Sequence, residues 1–123
     1  IANLVKENQD NKDFVNAIEG YKRLKNIVKQ NTAMDINSKL FTIKDEIKLY
    51  EQFEIIKSQF TNESIRKSPK KTLAGILNIT PFLSSFFENV LVMDKNEKIK
   101  NNRINLLTNI KDLISRFANL SEI

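Results

Sequence analysis

The residue pattern predicts an all-α domain, a helical bundle of about five helices, on three observations. Apolar residues recur mostly at three- and four-residue spacings along the 123 positions, the period of helices that each bury one face. Only two Gly and two Pro punctuate the chain. Both prolines follow a hydroxyl residue, Ser68-Pro69 and Thr80-Pro81, which is the order of an N-cap and a first helical position whose missing N–H costs nothing. At this length one domain is expected, spanning 1–123, and folding should bury roughly 65% of the unfolded surface, enough for a single core without staples.

The first helix is expected over 12–30, with Asn11 as N-cap, Phe14, Ile18, Tyr21, Leu24 and Val28 as its buried stripe, and Asn31 as the stop. Residues 1–8 read as the frayed end of a longer polypeptide, of which a chain opening on Ile1 would be a piece. A connector over 32–41 has mixed polarity and is anchored by Ile36 and Leu40. The second helix should run over 43–60 with Thr42 as N-cap and Asp45 completing a capping-box-like start. Its apolar face would be Ile43, Ile47, Tyr50, Phe53, Ile56 and Phe60. Residues 61–68 read as a polar hinge.

Segments 69–77 and 81–93 should be either two helices or one helix strongly kinked at Pro81, because an internal proline removes a hydrogen bond and crowds the preceding turn. The second segment is nearly continuous in large apolar residues and is expected at the centre. A last helix is expected over 95–120, with Asp94 as N-cap and Glu97 three residues on. Its core face would be Ile99, Leu106, Leu107, Ile110, Leu113, Ile114 and Phe117. Phe82, Phe86 and Phe87 also lie at helical spacing and read as core, as do Tyr21 and Tyr50.

Composition excludes much chemistry. Without Cys there are no disulfides and no thiolate metal sites. Without His the usual general base and the commonest zinc ligand are missing, so neither a Ser-His-Asp nor a Cys-His system can be assembled. Two scattered glycines cannot build a phosphate-cradling loop. Glu51 and Glu54 sit three residues apart, a spacing that could hold a metal, but beside Lys48 and Lys57 they read as solvated surface charges. No catalytic or metal site is expected. No apolar run approaches the roughly 18–20 residues that span a bilayer, and a cytoplasmic setting is the expectation. Lys and Arg outnumber Asp and Glu by 20 to 15, and a net charge of +5 suits an anionic partner. Sixteen of those cations are Lys, which the bias of an AT-rich coding sequence also produces.

Three regions are candidates for nucleic-acid contact. In the first, Lys22, Arg23 and Asn26 lie on one helix. Adjacent Lys22 and Arg23 point about 100° apart, so one can reach phosphate while the other braces a neighbouring helix. The second, Arg66-Lys67-Ser68-Pro69-Lys70-Lys71, places four cations at a helix start, where they oppose the helix dipole. A nearby phosphate or a hydrated loop would each account for that, and such residues would supply sequence-blind affinity. The third is Glu88-Asn89 with Asn102-Arg103, polar interruptions of apolar surfaces. They form either a reader of exposed bases or an Arg103–Glu88 ion pair tying two helices together. Met93 is the apolar residue most expected at a binding rim.

The order Phe86-Phe87-Glu88-Asn89-Val90-Leu91-Val92-Met93, then Asn102-Arg103-Ile104-Asn105-Leu106-Leu107, then Arg116-Phe117-Ala118-Asn119-Leu120 resembles the C-terminus of the bacterial glycyl-tRNA synthetase β subunit. Lys22-Arg23-Leu24-Lys25-Asn26-Ile27 is similar to that family's K-R-x-x-N-I motif, and Leu40-Phe41 with Glu46 to its L-F-x-x-x-x-E segment. Asn119 stands where the family commonly has Asp, and Ile104 where Leu is usual. The resemblance implies a helical anticodon-binding domain of the type also found in arginyl-tRNA synthetases. It further implies a class II ligase in which a separate catalytic α subunit, in an α2β2 tetramer, performs the ATP- and Mg-dependent adenylation. No cofactor is then expected in this chain, and its partner is tRNA specific for glycine, with no membrane and no DNA.

Every glycine anticodon offers two consecutive cytosines, and a protein reads a cytosine's pairing edge only when the base is splayed from its loop. The site so implied needs an acceptor for the amino group, Glu88 or a backbone carbonyl, and a donor, Arg103, Asn102 or Asn89. Lys22, Arg23 and Lys100 would hold loop phosphates. Two rival classes remain open on the residues alone: a helical protein-interaction module without RNA specificity, docking a partner on its Phe-rich face, and a sequence-blind RNA binder.

Overall fold

The structure, a computed structural model, describes residues 12–28 and 35–121, with the side chains at 13, 14 and 118–121 outside that description. Five helices carry the described residues: α1 (Lys12–Val28), α2 (Lys44–Gln59), α3 (Asn62–Lys67), α4 (Pro69–Asn89) and α5 (Glu97–Ser121). A 3₁₀ turn at Ser38–Leu40 precedes α2, and no strand occurs among the described residues. The expectations for 1–8, Asn11, Phe14, the end of the first helix at 29–31, the start of the connector and Asn119 lie outside the described residues.

On α1, Leu24 and Val28 are fully buried, but Ile18 faces solvent at 38% exposure, against expectation. The inward seam is Ala17, Gly20, Leu24 and Val28 instead. A Cβ built on Gly20 would sit 3.4 Å from Leu83 Cδ2, an ordinary contact, so α1 lies against α4 here with room for a methyl group. Tyr21 ties the same helix to α5 through a 2.6 Å hydrogen bond between its hydroxyl and Ser115 Oγ.

The second helix begins one residue later than its sequence suggested. Ile43, not Thr42, is the N-cap, and the side chain that closes the turn is Glu46, whose Oε1 accepts from the backbone N–H of Ile43 (3.0 Å) and Thr42 (3.3 Å). That register turns Glu46, Leu49, Phe53 and Ile56 inward, with Phe60 buried as the C-cap, and leaves Ile47 39% exposed. The expected hinge over 61–68 is helical. Thr61 caps α3 by accepting from Ser64 N–H at 3.0 Å, and fully buried Ile65 pegs it to the core.

α4 settles the proline question in favour of one helix, running through Pro81. Neither hydroxyl caps as expected: Ser68 makes no side-chain cap bond, and Thr80 Oγ1 donates to Ile76 O at 3.0 Å. An internal proline costs about 3 kcal/mol. Ile76, Ile79, Leu83 and Phe86, all buried on either side of the exposed ring, each contribute about 1.5–3 kcal/mol on burial and outweigh it. The helix ends at Asn89, short of Met93, because Val90 turns extended (φ −118°, ψ 126°).

α5 starts at Glu97. Its cap is Asn96, whose Oδ1 accepts from the N–H groups of Lys98 (3.0 Å) and Ile99 (3.4 Å), while Asp94 Oδ1 instead accepts from Asn96 N–H at 2.8 Å. Leu106, Leu107, Ile110, Leu113 and Phe117 enter the single core cluster as expected. Phe86 is fully buried, and Phe82 and Phe87 pack against the cluster partly buried.

Candidate nucleic-acid interface

The polar interruptions of α5 point inward. Arg103 is 4% exposed and its fork is occupied: Nε donates to Glu46 Oε2 at 2.8 Å, and Nη1 donates to Leu91 O at 2.6 Å and lies 3.4 Å from Asp94 Oδ2. Its buried partner is therefore Glu46 on α2, 1% exposed, and not Glu88, which stands exposed at the end of α4. Asn102, 5% exposed, is equally committed. Its Oδ1 accepts from Asn37 N–H (2.8 Å) and its Nδ2 donates to Asn37 O (2.9 Å), pinning the 3₁₀ segment to α5. The reading of Asn102 and Arg103 as base-contacting donors is corrected. Burial holds both because their buried polar atoms are paired, and withdrawing Arg103 would strand the buried carboxylate of Glu46.

The remaining candidates separate into two surfaces. Lys22, Arg23, Asn26, Glu88, Asn89 and Met93 are all exposed. Arg23 and Glu88 line one groove between α1 and α4, floored by Leu83 and Phe87. The Arg23 guanidinium lies 4.4 Å above the Phe87 ring, so it is Arg23 that braces the neighbouring helix and Lys22 that stands free of any described ion pair. Lys100, half-buried, lies in the first turn of α5. In the non-helical segment after Asn89, Leu91 and Met93 reach 65% and 58% exposure.

Arg66, Lys67, Lys70 and Lys71 form the second surface. Arg66 and Lys67 occupy the last turn of α3, where the dipole favours cations, so only Lys70 and Lys71 oppose a helix start. Lys67 pairs with Glu63 at 2.6 Å, both being more than 70% exposed, a contact worth little in water. From Lys71 to Glu88 along α4 is about 26 Å at 1.5 Å per residue, so the two surfaces cannot hold the same phosphate.

Sequence reasoning placed Glu46 in a motif without giving it a role, and it missed Asn37, Asp94 as a second Arg103 partner, and Leu91 as a displayed side chain. A signal for the first existed. Glu46 falls within the apolar stripe of α2 as Arg103 falls within that of α5, and two lone opposite charges on inward faces are natural partners. Away from this surface, the Tyr50 hydroxyl has its pKa raised above the usual tyrosine range by its hydrogen bond to Glu54, by burial, and by the charge of the same carboxylate. Glu51 and Glu54 are exposed, and no group of three or more His, Cys, Asp or Glu among the described residues could hold a metal ion.

The chain matches the family model described as DALR anticodon binding domain over residues 17–122. It is 33% identical over 120 residues to the glycine–tRNA ligase β subunit of Thermodesulfovibrio yellowstonii, covering 98% of this chain and 17% of that protein. The β subunit of Sulfurihydrogenibium sp. is 34% identical over 114 residues (90% of this chain, 16% of that one), and that of Halothermothrix orenii 34% over 124 residues (100% and 18%). The chain thus spans about a sixth of the length of the curated relatives it matches.

Proposed function

The chain belongs to the DALR anticodon binding domain family, and from that membership we propose that it grips the anticodon arm of tRNA specific for glycine, as the anticodon-binding part of a glycine–tRNA ligase β subunit. In this reading adenylation with ATP and Mg takes place on a separate α subunit within an α2β2 assembly, and this chain's share is recognition. The observation that supports the reading is the co-location, on a family-matched fold, of exposed Arg23 on α1 with exposed Glu88 at the end of α4, in one groove.

The roles follow from chemistry. Lys22 and Lys100 neutralise loop phosphates, and Arg23, stacked on Phe87, offers the outer edge of a pre-oriented guanidinium to another. Glu88 accepts from a cytosine amino group. Asn89 and Asn26 supply the N–H donors that N3 and O2 require. Asn102 and Arg103 have no part in direct contact.

The test is affinity for glycine tRNA against a copy with its anticodon cytosines replaced by uracil, at two salt concentrations. The expected result is a loss of about tenfold or more per replaced cytosine, the effect of one lost bidentate pairing. Equal binding of both copies with a steep salt slope would identify a sequence-blind RNA binder, and no binding to either a protein-interaction module.

A further inference from the structure

Between α4 and α5 the backbone leaves the helix extended at Val90 and bends at 92–93, and side-chain exposure alternates along it. Val90 is 6% exposed and Val92 packs partly buried against the core, whereas Leu91 and Met93 project at 65% and 58%. Here the two valines act as pegs and the other two side chains are displayed. Among the exposed large hydrophobics described, the next is Ile55 at 50%.

That display is held from beneath. Arg103 Nη1 grips Leu91 O at 2.6 Å and Asp94 Oδ2 at 3.4 Å, so the two tethers bracket Met93. Nε is fixed in turn by Glu46, whose other oxygen caps α2. A buried ion pair is close to break-even as a stabiliser, and two apolar side chains standing in water stabilise nothing. What the arrangement yields is position.

We propose that Leu91 and Met93 form a two-residue apolar platform on which an unstacked base of the bound RNA lies, and that Arg103 is the positioning residue that sets the platform's height through Leu91 and Asp94. The proposal rests on the anticodon-binding reading above. Two side chains are far too small for a stable protein interface, which needs roughly 1,000 Å², but they match the face of a single base. The rim suits an anionic backbone: Lys95 and Lys98 are exposed on the α5 side, and Arg23 meets Phe87 four residues before Leu91. The acidic groups of the same segment are Glu88, Glu97 and Asp94, and Asp94 already lies against Arg103.

The experiment measures glycine-tRNA affinity, its salt slope and amide hydrogen exchange in the full chain. It compares wild type, Leu91→Ser/Met93→Ser, and Arg103→Met/Glu46→Leu, the last replacing the buried pair by apolar side chains. Asp94→Ala, whose side chain is 32% exposed, releases one tether without emptying the core and serves if the buried double variant does not fold. Loss of the platform should weaken binding roughly tenfold at an unchanged salt slope, the scale of one lost base-stacking contact. Releasing the tethers should weaken it similarly and speed exchange at the amides of 91–95 about tenfold, with the helices unaffected.

Binding by Leu91→Ser/Met93→Ser as tight as wild type overturns the platform. Unchanged protection at 91–95, or unchanged affinity, in the released variants overturns the role of Arg103. Wild-type protein that binds no glycine tRNA overturns the anticodon reading and the platform with it, which a selective loss in the variants does not.

Discussion

Replacing Arg103 by Met should be among the most damaging single changes to this chain. The substitution keeps much of the side chain's length and apolar bulk, so the cavity term is small, and what remains is electrostatic. Glu46, 1% exposed, would keep only the N–H groups of Ile43 and Thr42 as partners, both on Oε1, while the donor at Oε2 gives way to an apolar methyl. An uncompensated buried charge of this kind costs about 3–5 kcal/mol, a large part of the 5–15 kcal/mol that holds a domain together. At roughly 4 °C per kcal/mol for a domain of this size, Tm should fall by about 12–20 °C. Adding Glu46→Leu removes the stranded carboxylate. The residual cost is then the lost cap, about 1 kcal/mol, plus the Leu91 tether, so the double variant should be more stable than Arg103→Met alone. Urea denaturation of the four members of the cycle measures this. A loss below about 1 kcal/mol for Arg103→Met, the worth of a surface pair, or simple addition of the two single losses, would refute the argument that the pair is buried and mutually dependent.

Gly20→Ala should stabilise the chain by up to about 1 kcal/mol in thermal unfolding, since the new methyl meets only the flexible end of Leu83 at 3.4 Å and alanine is the better helix former. Gly75→Ala should gain less or lose stability, because its Cβ would come within 3.2 Å of the Phe60 ring, which is itself 3% exposed and hemmed in. Tyr50→Phe should flatten the alkaline limb of the stability profile. The folded-state pKa of Tyr50 lies above its ordinary 10.0, so its contribution is fully present below pH 10 and is lost as pH rises through the folded value. Equal pH profiles for wild type and variant would exclude that contribution. Lys22→Ala should lower tRNA affinity at low salt and reduce the salt slope by about one, with stability within about 0.5 kcal/mol of wild type.

Much of the fold could be read in the residues because helical periodicity is local. The core face of α5 from Leu106 to Phe117 and that of the C-terminal half of α4 followed from spacing alone, as did Leu24 and Val28 on α1, whereas Ile99, expected in the same face, stays outside the core cluster. Errors clustered where a neighbouring element chose the register. Ile18 and Ile47 are as apolar as the residues that displaced them, but the packing of α1 against α4 and the Glu46 cap on α2 set which face turns inward. The hinge expected over 61–68 became α3 because one residue, Ile65, found a place in the core that its polar neighbours gave no hint of. For the candidate site, the exposed members Lys22, Arg23, Glu88, Asn89 and Met93 were legible as polar or apolar interruptions. Whether an interruption points outward or inward was not.

Residue order by itself determined that this chain is helical, that it has no His or Cys from which a Ser-His-Asp or Cys-His system could be assembled, and which family it resembles, since these depend on composition, period and short motifs. Tertiary structure decided that α4 continues through Pro81, that Arg103 meets Glu46 57 residues away and not Glu88, and that Leu91 and Met93 stand in solvent. The physical reason is the same in each case. Desolvation and pairing energies belong to groups brought together from distant segments, and no window of sequence contains both partners.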